Sequence, residues 1–245
     1  MDVSELAALA GRQRSDAWRV VETQEIAATA AITASSAEQS RLEELLEDAK
    51  PPLPADLHGL SYLLFTPFRY PPLRYGSRFG SEFERGIFYG ALELETAFAE
   101  SAVYLWLFRA GPLELGPLEV IRDQRSSYRV PVAAERGIDL RGAAFASVLP
   151  GLTRRDDWSV PQRFGSTARE AKVQAIWYPS CRYTGTNVAV LDPAALAARR
   201  EADVQAWHLV LDSERCWFGA QPRGDSFEFS FAAFAEDGAI PHPAL

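Results

Sequence analysis

A single carboxylate, Glu100, stands at the head of an almost wholly apolar run at residues 102–108. The apolar pattern predicts a helix over residues 93–109, and Gly111 marks its end. A carboxylate among apolar side chains is costly to bury unless something uses it. The alternative is a side chain that extends from the helix to solvent. The segment is therefore a core element and a candidate for function at once.

Two other chemically informative residues precede Glu100 at even spacing. Arg78 precedes Tyr89 by eleven residues, and Tyr89 precedes Glu100 by eleven. An arginine fork suits phosphate oxygens, an aromatic ring can stack on a flat ligand, and a carboxylate can stabilise a ribosyl cation. The alternatives are a surface arginine in a loop and a core tyrosine with a satisfied hydroxyl. Together the three residues indicate a site for a pyrophosphate-containing ligand.

Helix and strand signals are mixed without the regular βαβ order of a doubly wound sheet, so we expect an α+β fold. Three N-capping motifs predict the start of a helix: Ser35 with Glu38, Thr167 with Glu170, and Asp192-Pro193. The predicted helices are residues 3–14, 36–49, 93–109, 167–174 and 192–200. The predicted strands are 17–23, 62–68, 86–92, 118–132, 143–149, 204–211, 215–218 and 226–234, and residues 69–85 are expected to form an irregular loop.

The first part of the chain is expected to be an appendage. We predict that residues 1–54 form a helical and strand extension packed on a core at residues 55–245. Leu42, Leu45 and Leu46 recur at helical spacing in this extension. Core packing is the expected use of that leucine stripe, and a docking surface is the alternative.

Composition excludes several classes of function. The chain has 245 residues, 47% of them hydrophobic, and a formal net charge of -8, so it lacks the basic footprint of a nucleic-acid-binding protein. No apolar run has the length of a membrane span, and the N-terminus lacks the layout of a signal peptide, so we expect a cytoplasmic protein. Cys181 and Cys216 are expected to be free thiols, and the scattered histidines predict no metal site.

Four motifs resemble the RES domain family, which is named after an arginine, a glutamate and a serine. The first three read PFRYPPLRYGSRF at residues 67–79, GIFYGA at 86–91 and ETAFAE at 95–100. The fourth reads IWYPSCRY at 176–183 and is followed by VAVLDP at 188–193. The resemblance extends from about residue 17 to about residue 195. One departure is Thr186-Asn187, where the family more often has a cysteine; we assign this position to packing, away from the chemistry.

The resemblance implies a fold and a set of site residues. The fold would be a split sheet with flanking helices, similar to that of ADP-ribosyltransferases. The catalytic residues would be Glu100, Arg78 and Tyr89, and the substrate-binding residues Ser180, Arg19, Tyr75 and Ser77. For Arg19, the residues alone leave phosphate binding and pairing with Glu22 equally open. No histidine is placed as a base for Ser180, so we do not interpret it as a nucleophile.

The resemblance also implies an activity and partners. RES proteins are known as toxins of toxin–antitoxin pairs that consume NAD, and the resemblance implies cleavage of the nicotinamide–ribose bond. The expected acceptor is inorganic phosphate as co-substrate, or water, with no tightly bound cofactor. The expected partners are a helix-turn-helix antitoxin and further copies of the same chain. Two alternatives remain open: transfer of ADP-ribose to a protein or small molecule, and an inactive domain that binds a nucleotide or a partner.

Overall fold

The structure is a computed structural model that describes residues 1–23, 32–111, 116–222 and 224–243. No helix among these residues is long and apolar enough to cross a membrane. The helices are α1 Val3–Leu9, α2 Ser36–Asp48, α3 Tyr62–Arg69, α4 Leu94–Arg109, α5 Leu149–Leu152 and α6 Ser159–Glu170. The strands are β1 Gly11–Glu22, β2 Phe88–Ala91, β3 Ile121–Asp139, β4 Ala175–Pro179, β5 Thr186–Val190, β6 Ala202–Leu211, β7 Arg215–Ala220 and β8 Ser226–Ser230.

The described strands form one sheet that divides at β3. The order is β1-β2-β5-β4-β3-β6-β7-β8, and β1 also pairs with β3 along its length. On its other edge, β3 pairs with β6 through its first half and with β4, in parallel, through its last residues. Strands β1, β2, β5, β4 and β3 therefore close into a ring, and β6, β7 and β8 continue as an open wing. The predicted α+β split sheet with flanking helices is confirmed.

Helices cover the sheet on several sides. Strands β4 and β5 are buried on both faces: Trp177 and Val188 pack with residues of α3, whereas Ile176 and Ala189 pack with residues of α1 and α6. Helix α4 packs against the wing, where Phe98 lies 4.5 Å from Trp207, centroid to centroid. This packing holds α4 beside the ring of strands. Strand β2 of that ring directly precedes α4 in the chain.

Elements with strong local signals agree with their predicted bounds. Helix α4 and strand β2 lie where the sequence places them, and the loop before β2 is irregular. Ser35 caps α2 by accepting from the Glu38 amide.

The leucine stripe of α2 is not part of the core. No residue of α2 is buried, and Leu45 and Leu46 are 49% and 46% exposed, so the expected packing is wrong.

The predicted strand at 62–68 is helix α3. Leu64 and Phe68 are buried on one helical face, whereas Thr66 between them, which would share that face in a strand, is only half-buried. The Thr66 hydroxyl donates to the Tyr62 carbonyl one helical turn earlier. Pro67 lies inside the helix and cannot donate to the carbonyl of Leu63. The hydroxyl of Tyr128 in β3 donates to that carbonyl instead, at 3.1 Å. A tertiary contact thus stabilises a helix that the local sequence does not predict.

Three other local predictions are wrong. Residues 143–149 form a 3₁₀ turn and the start of α5 instead of a strand. Thr167 lies inside α6, which begins at Ser159, and its hydroxyl donates to a carbonyl one turn earlier. Asp192 caps only a 3₁₀ turn, because the chain then pairs with β3 through Leu196.

The N-terminal region contributes to the sheet. The first helix ends at Leu9, and β1 begins at Gly11, earlier than predicted. Strand β1 pairs with both β2 and β3, so residues 11–22 are part of the sheet. The domain boundary at residue 54 stays a prediction.

Candidate active site

A cavity of about 390 Å³ lies between α4, β2 and the loop that precedes β2. It collects side chains that are far apart in the sequence. Six of the seven predicted site residues line it: Arg19, Tyr75, Ser77, Arg78, Tyr89 and Glu100. The seventh, Ser180, contacts Glu100 directly.

Glu100 is held by two donors from the hairpin formed by β4 and β5. Its Oε1 accepts from the hydroxyl of Ser180 at 2.8 Å and from Nδ2 of Asn187 at 2.6 Å. Glu100 lies in the middle of α4, whose opposite face is fixed in the core. The carboxylate is therefore positioned from both sides, and it lines the cavity.

Ser180 is part of a turn that follows β4. Its Oγ accepts from the backbone amides of Arg182 and Tyr183, at 3.3 and 3.1 Å. A hydroxyl has one proton, and here that proton is directed to Glu100. The geometry of Ser180 thus suits orienting the carboxylate, whereas the sequence suggested contact with substrate.

Asn187 is a site residue that the sequence analysis missed. The assignment of Thr186-Asn187 to packing is wrong, because Asn187 is buried and donates to Glu100. A polar side chain at the start of an apolar strand needs a hydrogen-bond partner, and that requirement was the available signal.

Arg78 is buried rather than at the surface. It is 7% exposed, and its Nη1 donates to the carbonyls of Leu152 and Arg154, at 3.2 and 2.8 Å. Gln162 of α6 fixes the loop by donating to the carbonyls of Tyr75 and Ser77. The guanidinium is thus held in place at the cavity wall before any ligand binds.

Tyr89 connects β2 to the Arg78 loop. Its hydroxyl donates to Ser77 Oγ at 2.9 Å and accepts from the Phe79 amide at 3.0 Å. Burial raises the pKa of Tyr89 to about 12, so its hydroxyl stays protonated near neutral pH. Arg19 donates to the carbonyl of Tyr89 at 2.8 Å and lies over the ring of Phe88. Tyr75 is at the exposed rim of the cavity.

Further lining residues are not among the predicted site residues, although one of them, Arg182, lies in the fourth motif at 176–183. Arg182 is buried, and its guanidinium lies 5.3 Å from the ring centroid of Tyr104. His242, from the C-terminal region that no motif covers, meets the rings of Trp158 and Tyr104 edge-on. Burial, and then the charges of Arg182 and Arg78, lower the pKa of His242 to about 4.

The cavity has a positive charge in an acidic protein. Arg19, Arg78 and Arg182 line it together with one carboxylate, Glu100, and His242 is neutral near pH 7. The whole chain has a net charge of -8. A few arginines in a cleft can set the local field, so this arrangement favours an anionic ligand. No cluster of metal-ligating side chains lies among the described residues.

Comparison with known proteins identifies the family. The family model described as the RES domain matches residues 53–212, most of the chain, so the chain belongs to the RES domain family. A similar solved structure is the crystal structure of the M. tuberculosis MbcT-MbcA toxin-antitoxin complex, with 15% identity and a TM-score of 0.48. That match covers 86% of this chain and 91% of the other. A comparison with curated proteins found no match.

Proposed function

We propose that this RES domain protein cleaves the nicotinamide–ribose bond of NAD, with inorganic phosphate or water as the acceptor. The observation that supports this most is the carboxylate of Glu100, fixed by Ser180 and Asn187 in a cavity that several arginines line. Membership of the RES family supports the same reaction.

In the proposed reaction, the bond between the ribose C1 and the pyridinium nitrogen breaks. Its electron pair goes to the nitrogen, and neutral nicotinamide leaves. The ribose becomes an oxocarbenium-like cation, which the carboxylate of Glu100 stabilises electrostatically. An oxygen of phosphate then bonds to C1 and gives ADP-ribose-1″-phosphate, or water bonds there and releases a proton. No protein nucleophile is required.

The arginines would bind the substrate. The pyrophosphate of NAD has two negative charges, and Arg78 and Arg19 lie at the cavity wall with their guanidinium groups held by backbone carbonyls. Such prior fixation lowers the entropy lost on binding. Tyr75 at the rim and Ser77 are the further residues proposed to contact substrate.

The reaction is tested by nicotinamide release from NAD by the purified chain, with and without phosphate. Glu100→Gln keeps an oxygen that can accept from Ser180 and Asn187 but removes the charge. Turnover should fall about a hundredfold or more, because one electrostatic catalytic group is lost. Glu95→Gln is the matched control: it lies on the same helix, is exposed, and accepts from the Tyr183 hydroxyl at 2.7 Å. Glu100→Gln with turnover within a few-fold of wild type would remove Glu100 from the mechanism.

We further propose that the protein is the toxin of a toxin–antitoxin pair and acts in the cytoplasm, as an oligomer of this chain. A helix-turn-helix antitoxin would cover the cavity, and an acidic segment of it would occupy the positive cleft. Expression of the wild type alone in a bacterial host should arrest growth and lower intracellular NAD, whereas Glu100→Gln should do neither. Unchanged growth and NAD with soluble wild type would contradict the toxin role.

A further inference from the structure

Arg182 is the buried cavity residue whose charge is least satisfied. It is 7% exposed, and its Nη1 has no hydrogen-bond partner among the described residues. It makes no ion pair with a carboxylate in the described part of the chain. Its guanidinium lies over the Tyr104 ring, which stabilises a cation only in part.

A buried cation without a counter-charge is destabilising, so it indicates that a ligand completes it. The contrast with Arg78 is informative. Nη1 of Arg78 already donates to two carbonyls, whereas Nη1 of Arg182, a residue that also lines the cavity, is buried with no hydrogen-bond partner among the described residues. An anion that enters the cavity would therefore gain a charge-assisted hydrogen bond from Arg182 without breaking an existing one at that atom.

The position of Arg182 relates this donor to the proposed chemistry. Tyr104, which its guanidinium covers, follows Glu100 by four residues on α4, so both project from one helical face. Arg182 also follows Ser180 in the turn that orients the Glu100 carboxylate. The lowered pKa of His242 is consistent with this arrangement, because the charges of both Arg182 and Arg78 act on that ring.

We propose that Arg182 is an anion-binding residue that holds a phosphate group beside Glu100. The proposal rests on the proposed function for the identity of the natural ligand. Two sources share this chemistry: free orthophosphate, which would be the acceptor, and the pyrophosphate of the dinucleotide. A phosphate held here would lie near the carboxylate that stabilises the ribosyl cation. An acceptor phosphate must approach that cation, and the pyrophosphate is attached to the same ribose.

The test measures phosphate binding without turnover. Dissociation constants for orthophosphate, ADP and adenosine are measured by calorimetry for the wild type, Arg182→Met and Arg182→Lys. Methionine keeps an apolar stem over Tyr104 and removes the charge. Loss of one charge-assisted hydrogen bond should weaken phosphate binding about tenfold to a hundredfold. Lysine should recover only part, because the guanidinium fork is lost. Adenosine, which has no phosphate, should bind equally to all three proteins.

Arg155→Met is the matched control. Arg155 donates to the Cys181 carbonyl in the same turn, and it is already paired with Glu236 at 3.2 Å. Its removal should leave phosphate binding unchanged. If Arg182→Met does not fold, as judged by circular dichroism, Arg182→Gln provides the same test with a polar, uncharged side chain.

The two ligands distinguish the sources. Weaker orthophosphate binding with unchanged ADP binding would assign Arg182 to the acceptor, and the reverse would assign it to the pyrophosphate. Equal binding of both ligands by wild type and Arg182→Met, or no binding of either by wild type, would overturn the proposal. Phosphate binding that depends on Arg182 in a protein that does not cleave NAD would overturn the proposed function alone.

Discussion

Acidification below about pH 6.5 should destabilise the protein through His242. The folded protein lowers the pKa of His242 to about 4, first by burial and then through Arg182 and Arg78. In the unfolded chain the imidazole has an ordinary pKa of about 6.5. Between these values the unfolded chain binds a proton that the folded protein does not bind. Above about pH 6.5 His242 is neutral in both states and does not lower the free energy of unfolding. As the pH falls from 6.5 towards 4, the free energy of unfolding decreases.

The magnitude follows from the two pKa values. At pH 5 the unfolded imidazole is almost fully protonated and the folded one is almost fully neutral. The free energy of unfolding should be lower than at pH 7 by about 2 kcal/mol from this group alone. For a chain of this size, 1 kcal/mol corresponds to roughly 2–4 °C in Tm, so the expected fall is about 4–8 °C.

The assay is thermal unfolding of wild type and His242→Asn at pH 7 and pH 5, at constant ionic strength. Between pH 7 and pH 5, the Tm of the asparagine variant should fall less than that of wild type, whatever the absolute stability of the variant. Carboxylates whose pKa is lowered, such as Asp56 and Asp139 beside arginines, lose their contribution at lower pH and do so equally in both proteins. His58→Asn is the control, because His58 is exposed. Parallel loss of Tm in wild type and His242→Asn would refute the reasoning.

Three further substitutions test the cavity wall. Tyr89→Phe removes the hydroxyl that joins Ser77 to a backbone amide of the same loop, so chemical denaturation should show a loss of about 1–3 kcal/mol; an unchanged midpoint would contradict this. Gly165→Ala places a Cβ 2.0 Å from a carbonyl oxygen of the Arg78 loop and should lower Tm clearly, whereas Gly11→Ala, with no atom within 4 Å, should not. Arg78→Ala should weaken NAD binding in calorimetry about tenfold to a hundredfold, and Arg78→Lys should recover only part of it; full recovery by lysine would identify a simple point charge.

The elements around Glu100 could be predicted because their signals are local. Helix α4 is a long apolar segment, strand β2 is short and precedes it directly, and the Arg78 loop is rich in glycine and proline. Ser35 marks the start of α2 because a cap needs only residues within one turn. Such signals require no knowledge of what the element packs against.

Elements whose conformation depends on distant contacts could not be predicted in this way. Helix α3 contains Pro67, and a hydroxyl from β3 satisfies the carbonyl that proline leaves without a donor. The threonine and glutamate that match a capping box lie in the last turns of α6, where the helix is already formed. The exposed leucines of α2 follow a helical period without being core. Periodicity shows that a face is apolar, but it does not show what covers that face.

In the candidate site, too, some residues have local sequence signals and others depend on distant contacts. Glu100 and Arg78 are identifiable from their own surroundings in the sequence. The residues that orient Glu100, Ser180 and Asn187, follow it by 80 and 87 residues. They reach one carboxylate oxygen together because β4 and β5 pair in a register that places Tyr178 opposite Asn187, and Ser180 begins the turn that joins the two strands. A shift of that register by one residue would turn Asn187 to the other face of the sheet and leave Glu100 with a single donor. The register of this hairpin is therefore as important for the site as the identity of its side chains.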